Sequence, residues 1–140
     1  SITKEQIPLF RQALQGAITT ILPEGPQATL QIDQQLACDK ISSTTVNEIE
    51  RLAPFGMGNP EPLFASDTIQ LRAPRIVGER HLKVTVAGRK QEWPAIGFGL
   101  APFLKTWNSN TAYQVAYRPQ WNEFRGERSI QLVLEEIREV

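Results

Sequence analysis

Apolar residues recur at Ile7, Phe10, Leu14, Ala17, Ile18 and Ile21, separations of three and four that line one stripe of an amphipathic helix. The spacing predicts a helix over 3–22 with that stripe buried, and Pro8 fits only in its first turn. "PEGP" at 23–26 ends the element, and "ATLQID" at 28–33 alternates as a short strand. A second helix is expected in "SSTTVNEIERL" (42–52). Ser43 or Thr45 is its candidate cap, Thr45 and Glu48 stand at capping-box spacing, and Val46, Ile49 and Leu52 form its apolar edge.

From Thr68 onward the period changes to two. "TIQLRAPRIV" alternates Ile69, Leu71 and Ala73, then breaks phase at Pro74, where a bulge or bend is expected. "HLKVTVA" sets Leu82, Val84 and Val86 on one face and His81, Lys83 and Thr85 on the other. "EWPAIGFGL" reads as a mostly apolar strand, and "APFLKTW" is long enough for about two helical turns. "AYQVAYRPQW" and "RSIQLVLEEIRE" are two further strands, joined by a polar loop, "NEFRGE". The predicted class is α+β, mainly β: a five-stranded OB-fold-like Greek-key barrel with a short helix between its third and fourth strands. A helix-strand-helix segment (1–53) precedes it, a stiff connector (54–64) follows, and the barrel occupies 65–140.

Composition narrows the function. The 140 residues suit one domain, or one small domain with an appendage. Fifteen Lys and Arg balance fifteen Asp and Glu, which argues against a strongly basic nucleic-acid binder. The charge is uneven, however: Arg72, Arg75, Arg80, Lys83, Arg89 and Lys90 face only Glu79 within 72–90. That density permits a positive face on a neutral protein. One histidine, His81, excludes a metal centre built on several histidines, so no catalytic or metal-binding residue is expected in this chain. One cysteine, Cys38, excludes an internal disulfide and suits a reducing cytosol. No apolar run approaches membrane-span length and no signal peptide opens the chain, so a cytoplasmic location with no membrane partner is expected.

The most unusual stretch is "LAPFGMGNPEPLF" (52–64), three prolines and two glycines set among Leu52, Phe55, Met57, Leu63 and Phe64. Breakers fix or free the backbone, while the apolar side chains call for packing. Together they predict a rigid connector. This stretch resembles a signature of the RecJ family, single-stranded-DNA-specific exonucleases of bacteria. "RIVGERHLKVTV", "AIGFG" and "VAYRPQWNEFRGERSIQLVLEEI" extend the resemblance over roughly residues 48–138. The N-terminal helix and strand resemble the tail of that family's DHHA1-type domain. The resemblance implies an OB module that grips single-stranded DNA. The Mn²⁺- or Mg²⁺-dependent hydrolysis, running from the 5′ end, would belong to DHH and DHHA1 domains whose motifs this chain lacks.

OB barrels hold single strands with a positive groove and aromatic platforms under the bases. The candidate contacts on the barrel are Arg75, Arg80, His81 and Lys83, with Arg89 and Lys90 beside them. On the segment joining the last two strands they are Arg118, Trp121, Asn122, Phe124 and Arg125, with Arg128 nearby. Trp93 and Tyr117 are further platform candidates, each with core packing as the rival reading. A scaffold or protein-docking module without independent nucleic-acid binding is the alternative.

Overall fold

The computed structural model describes residues 3–21 and 29–140, which divide into two compact units, Ser1–Leu30 and Gln31–Val140. In the first, a 3-10 turn at Lys4–Gln6 leads into helix α1 (Ile7–Ile21), with Pro8 in its first turn as expected. Its apolar stripe exists but is not buried: Ile7, Phe10, Leu14, Ile18 and Ile21 are all exposed. Amphipathic spacing is a local property, whereas burial needs a partner surface. The expected "PEGP" stop lies outside the described residues.

The second unit holds helix α2 (Ser43–Glu50) and strands β1 (Gln34–Gln35), β2 (Phe64–Ala65), β3 (Gln70–Val77), β4 (His81–Ala87), β5 (Glu92–Gly97), β6 (Tyr113–Phe124) and β7 (Glu127–Glu139). They form one sheet in the order β1-β2-β6-β7-β5-β4-β3. All neighbours are antiparallel except β5 with β7 and β1 with β2. Ile69, just before β3, and Tyr113, at the start of β6, exchange both backbone hydrogen bonds at 2.9 Å. That bridge brings the two sides of the sheet together, so β3 to β7 form the five-stranded, partly open OB barrel expected. The phase break at Pro74 is a bulge in which Ala73 takes φ 48°, and the β3–β4 register shifts between Arg72 and Arg75.

Four local expectations are corrected. The strand placed at 28–33 pairs instead at 34–35, because Asp33 and Leu36 bond to Leu63 and Ala65 and draw that segment alongside β2. The cap of α2 is Ser42, whose Oγ accepts from the Thr45 amide at 3.2 Å, and Leu52 lies exposed beyond the helix end. The helix at 101–107 is a 3-10 turn at Ala101–Lys105, with Pro102 in its first positions. The "NEFRGE" loop is mostly strand: β6 runs to Phe124 and β7 starts at Glu127. Only Arg125 (φ 51°) and Gly126 (φ 78°) lie between, a left-handed pair that matches the twist of a tight hairpin.

The core fills the barrel with Leu71, Leu82, Val84, Val86, Tyr113, Val115, Tyr117 and Leu132. Val46 joins it from α2, and Cys38 and Ile41 from the segment leading into that helix. That segment is tied down by long-range bonds from Tyr117 Oη to Leu36 O (2.8 Å) and Trp93 Nε1 to Cys38 O (2.9 Å). Asp39 Oδ1 accepts from the Lys90 and Gln91 amides in the β4–β5 turn at 2.9 and 3.0 Å. Among the described residues no helix is long and apolar enough to cross a membrane.

Candidate nucleic-acid interface

Alternation along β4 sends Leu82, Val84 and Val86 inward, so His81, Lys83 and Thr85 stand on the outer face. Across the sheet one register row reads Arg75, Lys83, Ile96, Val133, Arg118. The first two members carry like charges directly opposite each other, an arrangement that destabilises a sheet. Among the described residues, neither Arg75 nor Lys83 has an ion-pair partner. Arg118, at the other end of the row, is different. It is half-buried between Glu135 and Glu61, and its Nε also reaches the Glu61 carbonyl at 3.4 Å. Arg72, one strand turn from Arg75, is paired to Glu92.

His81 lies at the end of this face. Its Nδ1 accepts the Gly99 amide at 3.1 Å, so the neutral ring carries its hydrogen on Nε2. Its ring meets Phe98 edge-on, centroids 5.2 Å apart. Phe98 is 60% exposed, an uncovered apolar ring two positions along from Ile96, which pairs with Lys83. Sequence reasoning passed it over. The available signal was an aromatic between two glycines in the outward phase of β5. Arg80 sits in the β3–β4 turn, exposed, and its carbonyl accepts from Ala101 at 3.1 Å. It lines a cavity of about 380 Å³ with Ile76, Glu79, Gly99, Ala101, Pro102 and Lys105.

The second group of candidates lies on the β6–β7 hairpin. The Trp121 indole N–H donates to Asn47 Oδ1 of α2 at 2.9 Å, and the Arg128 guanidinium covers the ring at 4.2 Å. The ring also packs against the core. Asn122 is half-buried in the paired part of β6. Phe124 is 66% exposed at the hairpin end, with Arg125 over its ring at 5.2 Å. Trp93 and Tyr117 belong to the barrel packing and to the bonds that hold the 36–38 segment.

The structure therefore gathers Arg75, His81 and Lys83 on one face and sets Phe124 and Arg125 apart. From Val133 in the row to Glu127 at the hairpin turn, the path along β7 is roughly 20 Å at strand rise. Single-strand sites on OB barrels span about 4–16 nucleotides, enough to reach both groups.

Burial, followed by the charges of Asp67 and Asp39, pushes the Cys38 thiol up to about 12. The Tyr117 phenol is likewise pushed up by burial, then by Cys38 and Asp67. Asp39 moves the other way, below the ordinary carboxylate value, chiefly because the Lys90 amide bonds to it. None of these groups offers a nucleophile or a general base to a cleft. Among the described residues no group of three or more His, Cys, Asp or Glu is arranged to hold a metal ion.

Comparison with known proteins identifies the family. The chain is 32% identical over 140 residues to the single-stranded-DNA-specific exonuclease RecJ of Escherichia coli and 31% identical to that of Dickeya dadantii. Each match covers 98% of this chain and 24% of the relative, so the chain spans about a quarter of the length of these curated relatives. Crystal structures of RecJ from Thermus thermophilus, one with Mn²⁺ and one with Mg²⁺, share the fold at TM-scores of 0.65 and 0.61 and 19% identity. They cover 99% of this chain, and the aligned part is 20% and 21% of theirs. The donors described in this chain do not fit such an ion. The family model for the RecJ OB domain matches residues 32–136, and with the barrel topology, this places the chain in the RecJ OB domain family.

Proposed function

We propose that this chain is the single-stranded-DNA-binding module of a longer 5′-to-3′ exonuclease that works in the cytoplasm. Its Mn²⁺- or Mg²⁺-dependent hydrolysis is assigned to DHH and DHHA1 domains beyond these residues. The observation that carries the reading is the Arg75–Lys83 pair, two cations held opposite each other without a carboxylate. Such a pair costs stability unless an anion visits it, and a phosphodiester supplies that anion. Phe98 and His81 beside it offer a ring face and a hydrogen-bond donor to a base. Stacking tolerates any base, which suits an exonuclease that must travel along its substrate. Arg80 at the adjoining turn and Phe124 with Arg125 at the hairpin end extend the track.

A fluorescence-anisotropy titration of labelled single-stranded and duplex oligonucleotides tests this. Tighter binding to the single strand, weakened by salt and by Lys83→Ala, is expected. Absence of saturation by either ligand at low salt and high protein concentration refutes independent binding and leaves the barrel as a scaffold for the rest of the enzyme.

A further inference from the structure

The 52–60 turn is uncharged and closed on itself. Gly56 and Asn59 exchange backbone hydrogen bonds of 2.9 and 3.1 Å. The Asn59 side-chain amide donates to the carbonyls of Leu52 (2.7 Å) and Pro54 (3.0 Å). At the apex Met57 is wholly exposed (104%), and Leu52 is more than half exposed (54%). A polarizable thioether is thus presented to solvent on a backbone that its own bonds hold in shape.

The flanking glycines have no reason within this chain. Neither Gly56 nor Gly58 has positive φ, and a Cβ built on either meets nothing within 4 Å. Relative to alanine, each adds conformational entropy to the unfolded chain and so weakens the fold. What glycine does supply is bare backbone on either side of Met57, open to close approach from outside.

We propose that this turn is a preformed knob seated in the part of the longer protein outside these 140 residues. Met57 enters an apolar pocket there, and the pocket rim lies against the backbone of Gly56 and Gly58. The relatives matched along 98% of this chain extend well beyond it, since the match is 24% of their length. Methionine is enriched at protein interfaces and adapts to irregular apolar pockets. A stretch with no cation offers a phosphate its backbone N–H groups alone and none of the counterion release that dominates nucleic-acid affinity, which disfavours DNA as the occupant. The inference rests on the chain's place in a longer protein and not on its DNA binding.

The test is the alkylation rate of a Met57→Cys thiol, read by mass spectrometry on the peptide that contains it. The rate is compared between this chain and the longer protein, and Cys38, buried, stays silent. We expect at least a tenfold slower reaction in the longer protein, independent of protein concentration and of added single-stranded DNA. Equal rates overturn the proposal. So does protection that appears only with DNA, or that grows with protein concentration and thereby reveals a second copy as occupant. Gly56→Ala/Gly58→Ala is expected to leave the melting temperature of this chain unchanged or raised, and to restore alkylation in the longer protein. A lowered melting temperature or unchanged protection overturns the role given to the two glycines.

Discussion

Removing both Arg75 and Lys83 as alanines should flatten the salt dependence of single-strand binding. At the β3–β4 end of the track, Arg75, Arg80 and Lys83 lack a carboxylate partner among the described residues, and their share of the slope is what the variant changes. Each phosphate neutralised on a single strand contributes a slope of about −0.7 to log K against log salt, so three give about −2.1. Between 50 and 200 mM salt, that slope lowers affinity about 18-fold. With only Arg80 left of the three, their share of the slope falls to about −0.7 and their share of the loss to about 2.6-fold. The paired arginines are the internal control: Arg72→Ala and Arg118→Ala should leave the slope near that of the parent, because Glu92, Glu135 and Glu61 already engage those guanidiniums. Anisotropy titrations at four or more salt concentrations give the slope directly. Thermal melts check the fold, and the double variant should be no less stable, since like charges opposite each other are relieved. A double variant that keeps the parent slope, or an Arg72→Ala that flattens it as much, would refute the assignment of the free row as the phosphate track.

Phe98→Ala should weaken single-strand binding by about 1–3 kcal/mol, the range for one stacked base, with little change in melting temperature. Trp121→Ala should instead destabilise the fold by about 2 kcal/mol in chemical denaturation, because it strips the Asn47 bond and the Arg128 contact from a ring packed on the core. If Trp121→Ala abolishes binding while stability is unchanged, the indole is a platform after all. Cys38 should resist alkylation in the native chain. Its folded pKa is about 12 against an ordinary 9.0, so the unfolded thiol loses its proton first and stability should fall as pH rises above 9.0. A pH-independent stability across that range contradicts this. Asp39 gives the opposite limb: with its folded pKa lowered, its contribution is complete above the ordinary value of 3.8 and is lost as pH falls through the folded one. Asp39→Asn should therefore shrink the acid-side loss of stability in a pH series of melts.

A module of zero net charge is compatible with a local anion track because its charge is unevenly spread, six cations against Glu79 within 72–90. Arg72, Arg118 and Arg128 each meet a glutamate, whereas Arg75, Arg80 and Lys83 on the β3–β4 side meet none among the described residues. At physiological salt, screening over about 8 Å makes that local excess matter more than the total.

The outward placement of His81 and Lys83 was legible in "HLKVTVA", because strand alternation is a two-residue property needing no knowledge of the rest of the chain. The order of barrel strands was legible for the same reason, as was the bulge at Pro74. The hairpin end was not. Beyond the barrel, residues 122–128 hold Phe124 as their one large apolar side chain, so a strand there shows no alternation, and Arg125–Gly126 is not one of the usual hairpin pairs. The buried stripe expected of α1 failed differently: its periodicity is real, but periodicity carries no information on what covers it.

Local pattern thus settled where the main barrel strands lie, which of their residues face the core, and which family motif stands at 52–64. Three-dimensional packing settled which cations are free and which aromatics are engaged. Arg75 and Arg118 look alike in the chain, yet one stands unpaired on an outer face and the other is gripped by Glu61 and Glu135. Trp121, the more conspicuous aromatic, is claimed by Asn47, 74 positions away, while Phe98 stays open. Covalent neighbours dictate alternation and capping, but ion pairs and ring contacts depend on distances between residues far apart in sequence, and those exist only once the barrel has closed.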